Sequence, residues 1–342
     1  MPVDFKLGRA IIELRDCPTG KCLNFGKARC VHEKLGKTEK LLPKKGRCKG
    51  RNTKCESFIG KSPFVPDYDN NYLLPQEESE TLTFALGSGD NALLSGPPGS
   101  GKTTLVKQLA AILNWGTLQF SCSEETSSAK LLGQWIIAGK EMAWSDGIIT
   151  TAMKQGYILL EDEADFMRPE LRGELHSIME TDGSVTLSAL HPETKQHFQE
   201  VITKHPNFRW ISTANTIGLG DDLFQYHGVQ YFNAAARDRY SIIVQFDYKA
   251  PEQEEEILVK KTQIDRTTAR QMITIANACR KDETNEIMFA FTLRRLIAWA
   301  SYWLKVGPKL SSKLAILNFT GETDKYFIKS LMRSNMDLDL DE

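Results

Sequence analysis

Residues 96–103 read Gly-Pro-Pro-Gly-Ser-Gly-Lys-Thr, a glycine-rich run that ends in a lysine and a threonine. The residues before it (91–95, NALLS) have the apolar character of a short buried strand, and residues 103–113 (TTLVKQLAAIL) have apolar side chains at helical spacing. In this strand–loop–helix order the pattern GxxxxGK[ST] binds phosphate, because the glycines let backbone N–H groups turn inward and the helix adds its positive dipole end. The run therefore predicts a phosphate-binding loop rather than a chance glycine-rich turn.

A second polar group, Glu161-Asp162-Glu163, follows the apolar residues 156–160. Ligands gather at the carboxyl ends of strands in open α/β sheets. We expect Asp162 to hold Mg²⁺, directly or through water, and Glu163 to orient and polarise an attacking water. Glu161 should point away from Asp162, because side chains alternate along a strand.

The loop and the carboxylates together predict a site for ATP and Mg²⁺. Lys102 would reach the β- and γ-phosphates, and the Thr103 hydroxyl would bind the metal ion together with Asp162. The residues expected to bind the nucleotide and its ion are Gly96, Pro97, Pro98, Gly99, Ser100, Gly101, Lys102, Thr103, Thr104 and Asp162.

Two further segments carry candidate residues. The strand-like run 208–214 ends at Asn215, whose amide can hold the attacking water or touch the γ-phosphate. A strand-ending asparagine in a plain turn is the alternative. Near the C-terminus, Thr292 is a candidate N-cap that would place Arg294 in the first turn of a helix, with Arg295 facing elsewhere.

Composition bounds the class of protein. A chain of 342 residues predicts two or three domains, and 41% hydrophobic with 25% charged residues is typical of a soluble globular protein. Charges interrupt the apolar run near the N-terminus, which argues against a signal peptide. Since no stretch approaches roughly 18 consecutive apolar residues, we expect a cytoplasmic protein without a membrane partner.

Charge and cysteines concentrate at the N-terminus. Residues 1–61 hold 16 lysines and arginines against 6 aspartates and glutamates, a net charge of +10, whereas the remaining residues carry −11. Five of the seven cysteines lie there too, beside a histidine. Structural zinc needs four nitrogen or sulfur ligands, and a segment with so little apolar core would struggle to fold without one. The preferred zinc ligands are Cys17, Cys22, Cys48 and Cys55, with Cys30 and His32 as substitutes.

Neither cysteine pair has the tight CxxC spacing, so a loose segment with reduced thiols is the alternative. The charge of this module suits nucleic acid, although its few aromatic residues support base stacking only weakly. An acidic protein partner fits the same charge equally well.

Periodicity divides the chain into three regions. After the basic Cys-rich module (1–61), residues 62–248 alternate strand-like and helical patterns, which predicts an α/β domain with a mainly parallel sheet. Residues 249–342 predict a small helical domain whose first helix opens at Pro251. The last residues (336–342, MDLDLDE) suggest a frayed acidic tail.

The blocks ANTIGLGD (214–221), YHG (226–228) and DRYSI (238–242) make the chain resemble the AAA+ family, in its MoxR and metal-chelatase branch, and most of all the small ATPase subunits of cobaltochelatases. The resemblance runs from about residue 64 to about 300. It implies an AAA+ P-loop domain with β-hairpin insertions and a small α-helical lid. It also implies catalytic roles for Glu163, for Asn215 as sensor 1, for Arg239 as an arginine finger (with Arg237 in reserve) and for Arg294 as sensor 2. A plain surface ion pair with Asp238 is the alternative for Arg239.

Two segments match the hairpin insertions of that branch. Residues 132–147 have a turn at 138–140 between strand-like arms, and residues 184–205 form a longer candidate hairpin with its tip near 191–195. Trp135 and Trp144 would either form a hairpin core or grip a substrate, and the core is the commoner role for such residues.

The resemblance implies a ring, typically a hexamer, that couples ATP hydrolysis to remodelling of a partner macromolecule, often a protein with a von Willebrand A-type domain. One alternative is the ATPase subunit of a chelatase that inserts cobalt or magnesium into a tetrapyrrole. Another is a nucleic-acid-binding motor recruited through residues 1–61. A nucleotide-gated scaffold with little turnover is disfavoured by the complete catalytic set.

Overall fold

The computed structural model describes residues 63–139, 141–216, 230, 232–280 and 291–340. Contacts divide these residues into two units. The first contains residues 63–68, 74–96 and 102–245, and the second contains 69–73, 97–101 and 246–340. The predicted zinc ligands Cys17, Cys22, Cys30, His32, Cys48 and Cys55 lie outside the described residues.

The first unit alternates helices and strands, as its periodicity predicts. Its elements are α1 (Gln76–Ser88), β1 (Ala92–Ser95), α2 (Lys102–Leu113), β2 (Thr117–Ser121), α3 (Ser128–Leu132), β3 (Gly133–Ala138), β4 (Glu141–Asp146), α4 (Ile148–Gln155), β5 (Ile158–Asp162), α5 (Pro169–Glu174), α6 (His176–Met179), β6 (Ser184–Leu190), β7 (His197–Thr203), β8 (Arg209–Ala214), α7 (Ala234–Asp238) and β9 (Ile242–Gln245). A 3₁₀ turn, Ala164–Phe166, follows β5.

Five parallel strands form the central sheet in the order β2-β5-β8-β1-β9. Strands β1 and β8 are buried throughout, as expected for the inner strands of a parallel sheet that is covered on both faces. Because all five strands run in one direction, the phosphate loop after β1, Asp162 and Glu163 at the end of β5 and Asn215 after β8 lie at the same carboxyl end of the sheet. The order of the strands makes β8 the neighbour of both β1 and β5.

Both predicted hairpins are confirmed. β3 pairs with β4 and β6 pairs with β7, each as a separate antiparallel pair. The ring of Trp135 lies edge-on to Trp144 at 5.8 Å and to Phe198 at 5.7 Å, and Trp144 stacks on Phe198 at 4.7 Å. The two tryptophans thus form an aromatic core between the hairpins, whereas Ile137 near the first tip is 78% exposed.

The described part of the second unit is helical. It contains α8 (Pro251–Thr262), α9 (Arg266–Arg280), α10 (Leu293–Val306), α11 (Pro308–Ala315) and α12 (Glu322–Met336), with a 3₁₀ turn at Leu317–Phe319. Pro251 and Pro308 occupy first helical positions, where the missing N–H has no cost. Among all described helices, none combines the length and the apolar character needed to span a membrane.

The prediction of a frayed acidic tail is wrong for the described residues 336–340. Leu338 and Leu340 are 8% and 5% exposed and pack into the core of the helical unit, and Asp339 pairs with Arg333. Burying one leucine contributes about 1.5–3 kcal/mol, so the two leucines stabilise the ordered segment. The leucines that alternate with the aspartates therefore hold this segment against the helices.

Candidate functional site

The phosphate loop has the backbone that its glycines predict. Gly99 and Gly101 have φ values of +74° and +105°, a region in which residues with a Cβ are strained. Within the second unit, a Cβ on Gly99 would lie only 2.6 Å from the Cβ of Thr292. Glycine is thus required at position 99 both by conformation and by the close approach of Thr292.

Lys102 begins α2 and is 8% exposed. Its ammonium donates to the Gly96 carbonyl at 2.6 Å and lies 3.5 Å from the Asn215 amide oxygen. Burial lowers the pKa of Lys102 to about 8, although nearby carboxylates, Asp165 first among them, oppose the shift. The lysine is therefore largely charged at neutral pH yet poorly solvated, which makes an anionic phosphate a favourable partner.

Asp162 at the end of β5 holds three neighbouring side chains. Its Oδ1 accepts hydrogen bonds from the hydroxyls of Thr103 (2.7 Å) and Thr213 (2.5 Å), and its Oδ2 accepts from the Gln119 amide at 2.8 Å. Hydroxyl and carboxylate oxygens are the ligands that Mg²⁺ prefers. The paired oxygens of Thr103 and Asp162 therefore fit the metal ion that the phosphate loop implies.

Glu163 follows Asp162 in a left-handed conformation, with φ at +57°. Such a conformation in a non-glycine residue costs on the order of 1–3 kcal/mol and recurs at functional sites. Its backbone N–H donates to the Thr213 hydroxyl at 3.2 Å, so β8 supports this turn. The strained turn at Glu163 therefore lies directly after Asp162, the last residue of β5.

Asp165 holds Asn215 in place. Its Oδ2 accepts the backbone N–H of Asn215 at 2.9 Å and that of Thr216 at 3.3 Å, while the carboxylate is fully buried. Burial raises the pKa of Asp165, and these backbone donors together with Lys102 oppose the shift. The structure thus brings Lys102, Thr103, Asp162 and Asn215 together at the carboxyl end of the sheet.

Sequence reasoning missed three side chains of this cluster: Gln119, Thr213 and Asp165. Each had a faint signal, since Gln119 interrupts an apolar strand, Thr213 belongs to the polar end of β8, and Asp165 adds another carboxylate two residues after Glu163. None of them carries a pattern that distinguishes it from ordinary strand or turn residues.

Glu161 points away from Asp162, as strand alternation predicts. It is fully buried and pairs with Arg172 at 2.9 Å, and it also accepts hydrogen bonds from Ser212 and Trp210. Burial alone would raise the pKa of Glu161, but the charge of Arg172 and these hydrogen bonds hold it below the usual value. Glu161 therefore belongs to a buried network rather than to the cluster around Asp162.

Arg239 lies at the opposite, amino end of the sheet. It precedes β9, and its carbonyl accepts the amide of Asn91, the residue before β1. Its guanidinium contacts the carbonyls of His176 and Ala235 and pairs with Glu180 at 2.7 Å. The four residues of β1, about 13 Å at about 3.3 Å each, separate this end from the phosphate loop of the same chain.

The first turn of α10 confirms the predicted cap. The Thr292 hydroxyl accepts the backbone N–H of Arg295 at 3.2 Å, and Arg294 is exposed in that turn. Arg295 faces elsewhere, because its guanidinium lies 3.7 Å over the Phe319 ring. Since Gly99 abuts Thr292, the loop residues of the second unit lie beside the turn that carries Arg294.

Comparisons with known proteins cover most of the chain. Residues 91–239 match the AAA domain of the dynein-related subfamily, and residues 254–333 match the CbbQ/NirQ/NorQ C-terminal family. Aerobic cobaltochelatase subunit CobS of Sinorhizobium sp is 31% identical over 69% of this chain and 72% of its own length. Protein NorQ of Paracoccus denitrificans is 24% identical over 78% and 92%, and protein CbbQ of Hydrogenophilus thermoluteolus is 25% identical over 73% and 91%.

The matches and the site agree on one assignment. The matched regions contain four of the five strands of the sheet, the phosphate loop and most of the described helical unit. The match to CobS extends over more than two thirds of both chains. The chain therefore belongs to the AAA+ ATPases, in the MoxR and metal-chelatase branch that includes CobS, CbbQ and NorQ.

Proposed function

We propose that this chain is a ring-forming ATPase, with six subunits as the expected number, that hydrolyses Mg-ATP to remodel a partner macromolecule. One observation carries the proposal. Lys102, Thr103, Asp162 and Asn215 meet at the carboxyl end of the sheet, while Arg239 lies at the amino end. A single chain therefore holds most of an ATP site and a separate arginine suited to a neighbour's site.

The proposed roles follow from the contacts. Gly96 to Thr104 hold the phosphates, with Lys102 as the cationic contact, and Thr103 and Asp162 hold Mg²⁺, which when bound neutralises phosphate charge. Glu163 accepts the proton of the attacking water, and Asn215 orients that water or the γ-phosphate. The support for Asn215 is its rigid backbone, which Asp165 fixes through two hydrogen bonds.

The two arginines act from outside this cluster. Arg239 stabilises transition-state charge on the nucleotide of the adjacent subunit, with Arg237 as the reserve candidate. Arg294 contacts the nucleotide from the helical lid, which the contact between Gly99 and Thr292 supports. We assign residues 62–248 to the nucleotide-binding domain and residues 249–342 to the lid.

If the site is completed between subunits, the specific ATPase activity should rise with protein concentration. Diluted subunits lack the neighbour's arginine, which contributes about 10³-fold or more in such enzymes. We expect phosphate release per subunit to increase steeply across the range in which light scattering detects assembly. A specific activity that stays constant while the assembly dissociates contradicts the proposal.

We further propose that residues 1–61 form a zinc-binding module that recruits nucleic acid or an acidic protein. The support is the density of cysteines and the net charge of +10. The purified full chain should contain about one zinc per subunit, lost from a Cys17→Ser, Cys22→Ser double variant, whereas Cys122→Ser should retain it. Deleting residues 1–61 should abolish salt-sensitive DNA binding. Zinc-free protein contradicts the metal site, and no DNA binding at low salt favours the acidic protein.

A second candidate function is the ATPase subunit of a cobalt or magnesium tetrapyrrole chelatase. The similarity to CobS at 31% identity favours it. A partner with a von Willebrand A-type domain suits both functions, so the product distinguishes them. Metal insertion into a tetrapyrrole by the ring and its partner supports the chelatase. ATP-driven release of the partner without insertion supports the remodelling function.

A further inference from the structure

Tyr240, the residue after Arg239, is almost completely buried. Its hydroxyl lies 2.8 Å from the Ser212 hydroxyl, donates to Glu161 Oε2 at 3.3 Å and accepts from Arg172 at 3.3 Å. Burial raises the pKa of this hydroxyl above its usual value, and the nearby charge of Glu161 raises it further. The phenol therefore stays protonated and remains a donor within this network.

The Glu161–Arg172 pair gives Tyr240 a rigid partner. Both charged side chains are buried, and Arg172 also donates to the Ala164 carbonyl at 2.6 Å. A buried ion pair is costly to disturb, because moving one charge leaves the other without a partner. Extra hydrogen bonds to Glu161 from Ser212 and Trp210 add to this rigidity.

Arg239, the residue before Tyr240, is held separately by Asn91. The Asn91 amide donates to the Arg239 carbonyl at 2.9 Å and to the Met179 carbonyl at 2.7 Å. Asn91 precedes β1, while Glu161 lies in β5 and Ser212 in β8. Residues 239–240 are thus hydrogen-bonded to β5, to β8 and to the residue before β1, the three strands whose carboxyl ends carry Asp162, Asn215 and the phosphate loop.

The side-chain contacts of Arg239 differ from these backbone contacts. Its guanidinium pairs with Glu180, whose side chain is 58% exposed, and with two backbone carbonyls. An arginine that engages a phosphate on another subunit must release such partners. Contacts that do not involve the guanidinium include the one through the Arg239 carbonyl and those of the neighbouring Tyr240.

We propose that Tyr240, together with Asn91, is a positioning residue that aligns the finger Arg239 with the strands of its own subunit's ATP site. The inference rests on the proposed role of Arg239 at the neighbouring subunit. The strands that hold one nucleotide thereby also fix the arginine that acts on the next.

Mixed rings test the inference. The hydrolysing subunit carries Arg239→Ala, and the finger-bearing subunit carries Lys102→Ala, so that hydrolysis requires the finger of one and the site of the other. We expect Tyr240→Phe in the finger-bearing subunit to lower the hydrolysis of mixed rings about tenfold, since a misplacement of 1 Å can cost about 10²-fold. The same change in the hydrolysing subunit, which has no finger, should change the rate less than about twofold.

Tyr157→Phe in the finger-bearing subunit is the matched control, because it removes a hydroxyl from another tyrosine packed on the same core. If Tyr240→Phe prevents assembly, Asn91→Ala is expected to produce the same asymmetry between the two subunits. Full activity with Tyr240→Phe in the finger-bearing subunit overturns the inference about Tyr240 but not the proposed role of Arg239. Equal losses in both subunits overturn it in favour of a general structural role. If the mixed rings are inactive before Tyr240 or Asn91 is substituted, the proposed role of Arg239 is overturned, and the inference with it.

Discussion

Replacing Glu163 by glutamine should leave ATP binding close to wild type and reduce hydrolysis by about 10²- to 10⁴-fold. Glutamine keeps the size of the side chain but cannot accept a proton from water, and general-base catalysis contributes a factor of this order. The left-handed turn at Glu163 is held through the backbone by Thr213, so the substitution preserves the geometry. Fluorescent-nucleotide titration and single-turnover phosphate release measure the two quantities separately.

Two further variants serve as comparisons for Glu163→Gln. Glu170→Gln makes the same chemical change at an exposed position of α5 and should leave both quantities unchanged. Lys102→Ala should instead weaken ATP binding itself by at least about 100-fold, because it removes a charge-assisted contact from a desolvated site. Turnover near the wild-type rate in Glu163→Gln would show that another group activates the water.

The main features of the site follow from local sequence. The phosphate loop, the carboxylates after β5 and Asn215 after β8 are each recognisable within about ten residues. Parallel strands place their carboxyl ends at one edge of the sheet, so Lys102 and Asn215 could be expected at the same edge. Their direct contact depends on β8 lying beside β1, which the local sequence does not specify. The hairpins follow from the same kind of evidence, since each is a local turn between two strand-like arms.

The supporting contacts could not be predicted, because they depend on register between distant segments. Asp165 meets Asn215 across 50 residues, and Tyr240 meets Glu161 across 79. No local pattern specifies which buried hydroxyl faces which carboxylate. The prediction of a frayed acidic C-terminus was wrong for a similar reason, because the surface that buries Leu338 belongs to helices elsewhere in the chain.

Arg239→Ala should reduce hydrolysis by about 10³-fold in rings made only of that variant, and activity should return when Lys102→Ala subunits are mixed in. The reason is geometric, because Arg239 lies at the amino end of a sheet whose carboxyl end carries the phosphate loop of the same chain. Because Arg239 lies far from the phosphate loop of its own chain, we expect it to act on a nucleotide that another subunit holds.

The recovery should depend on the mixing ratio. A variant site regains its arginine only when its neighbour is a Lys102→Ala subunit, so total activity should pass through a maximum at intermediate ratios and fall toward either pure ring. Phosphate release across a series of ratios measures this curve.

Arg237→Ala is the matched control, since it removes an arginine from the same segment and should retain most activity. If Arg237→Ala produces the loss and the ratio-dependent recovery while Arg239→Ala does not, then Arg237 is the finger and the ion pair of Arg239 with Glu180 is structural.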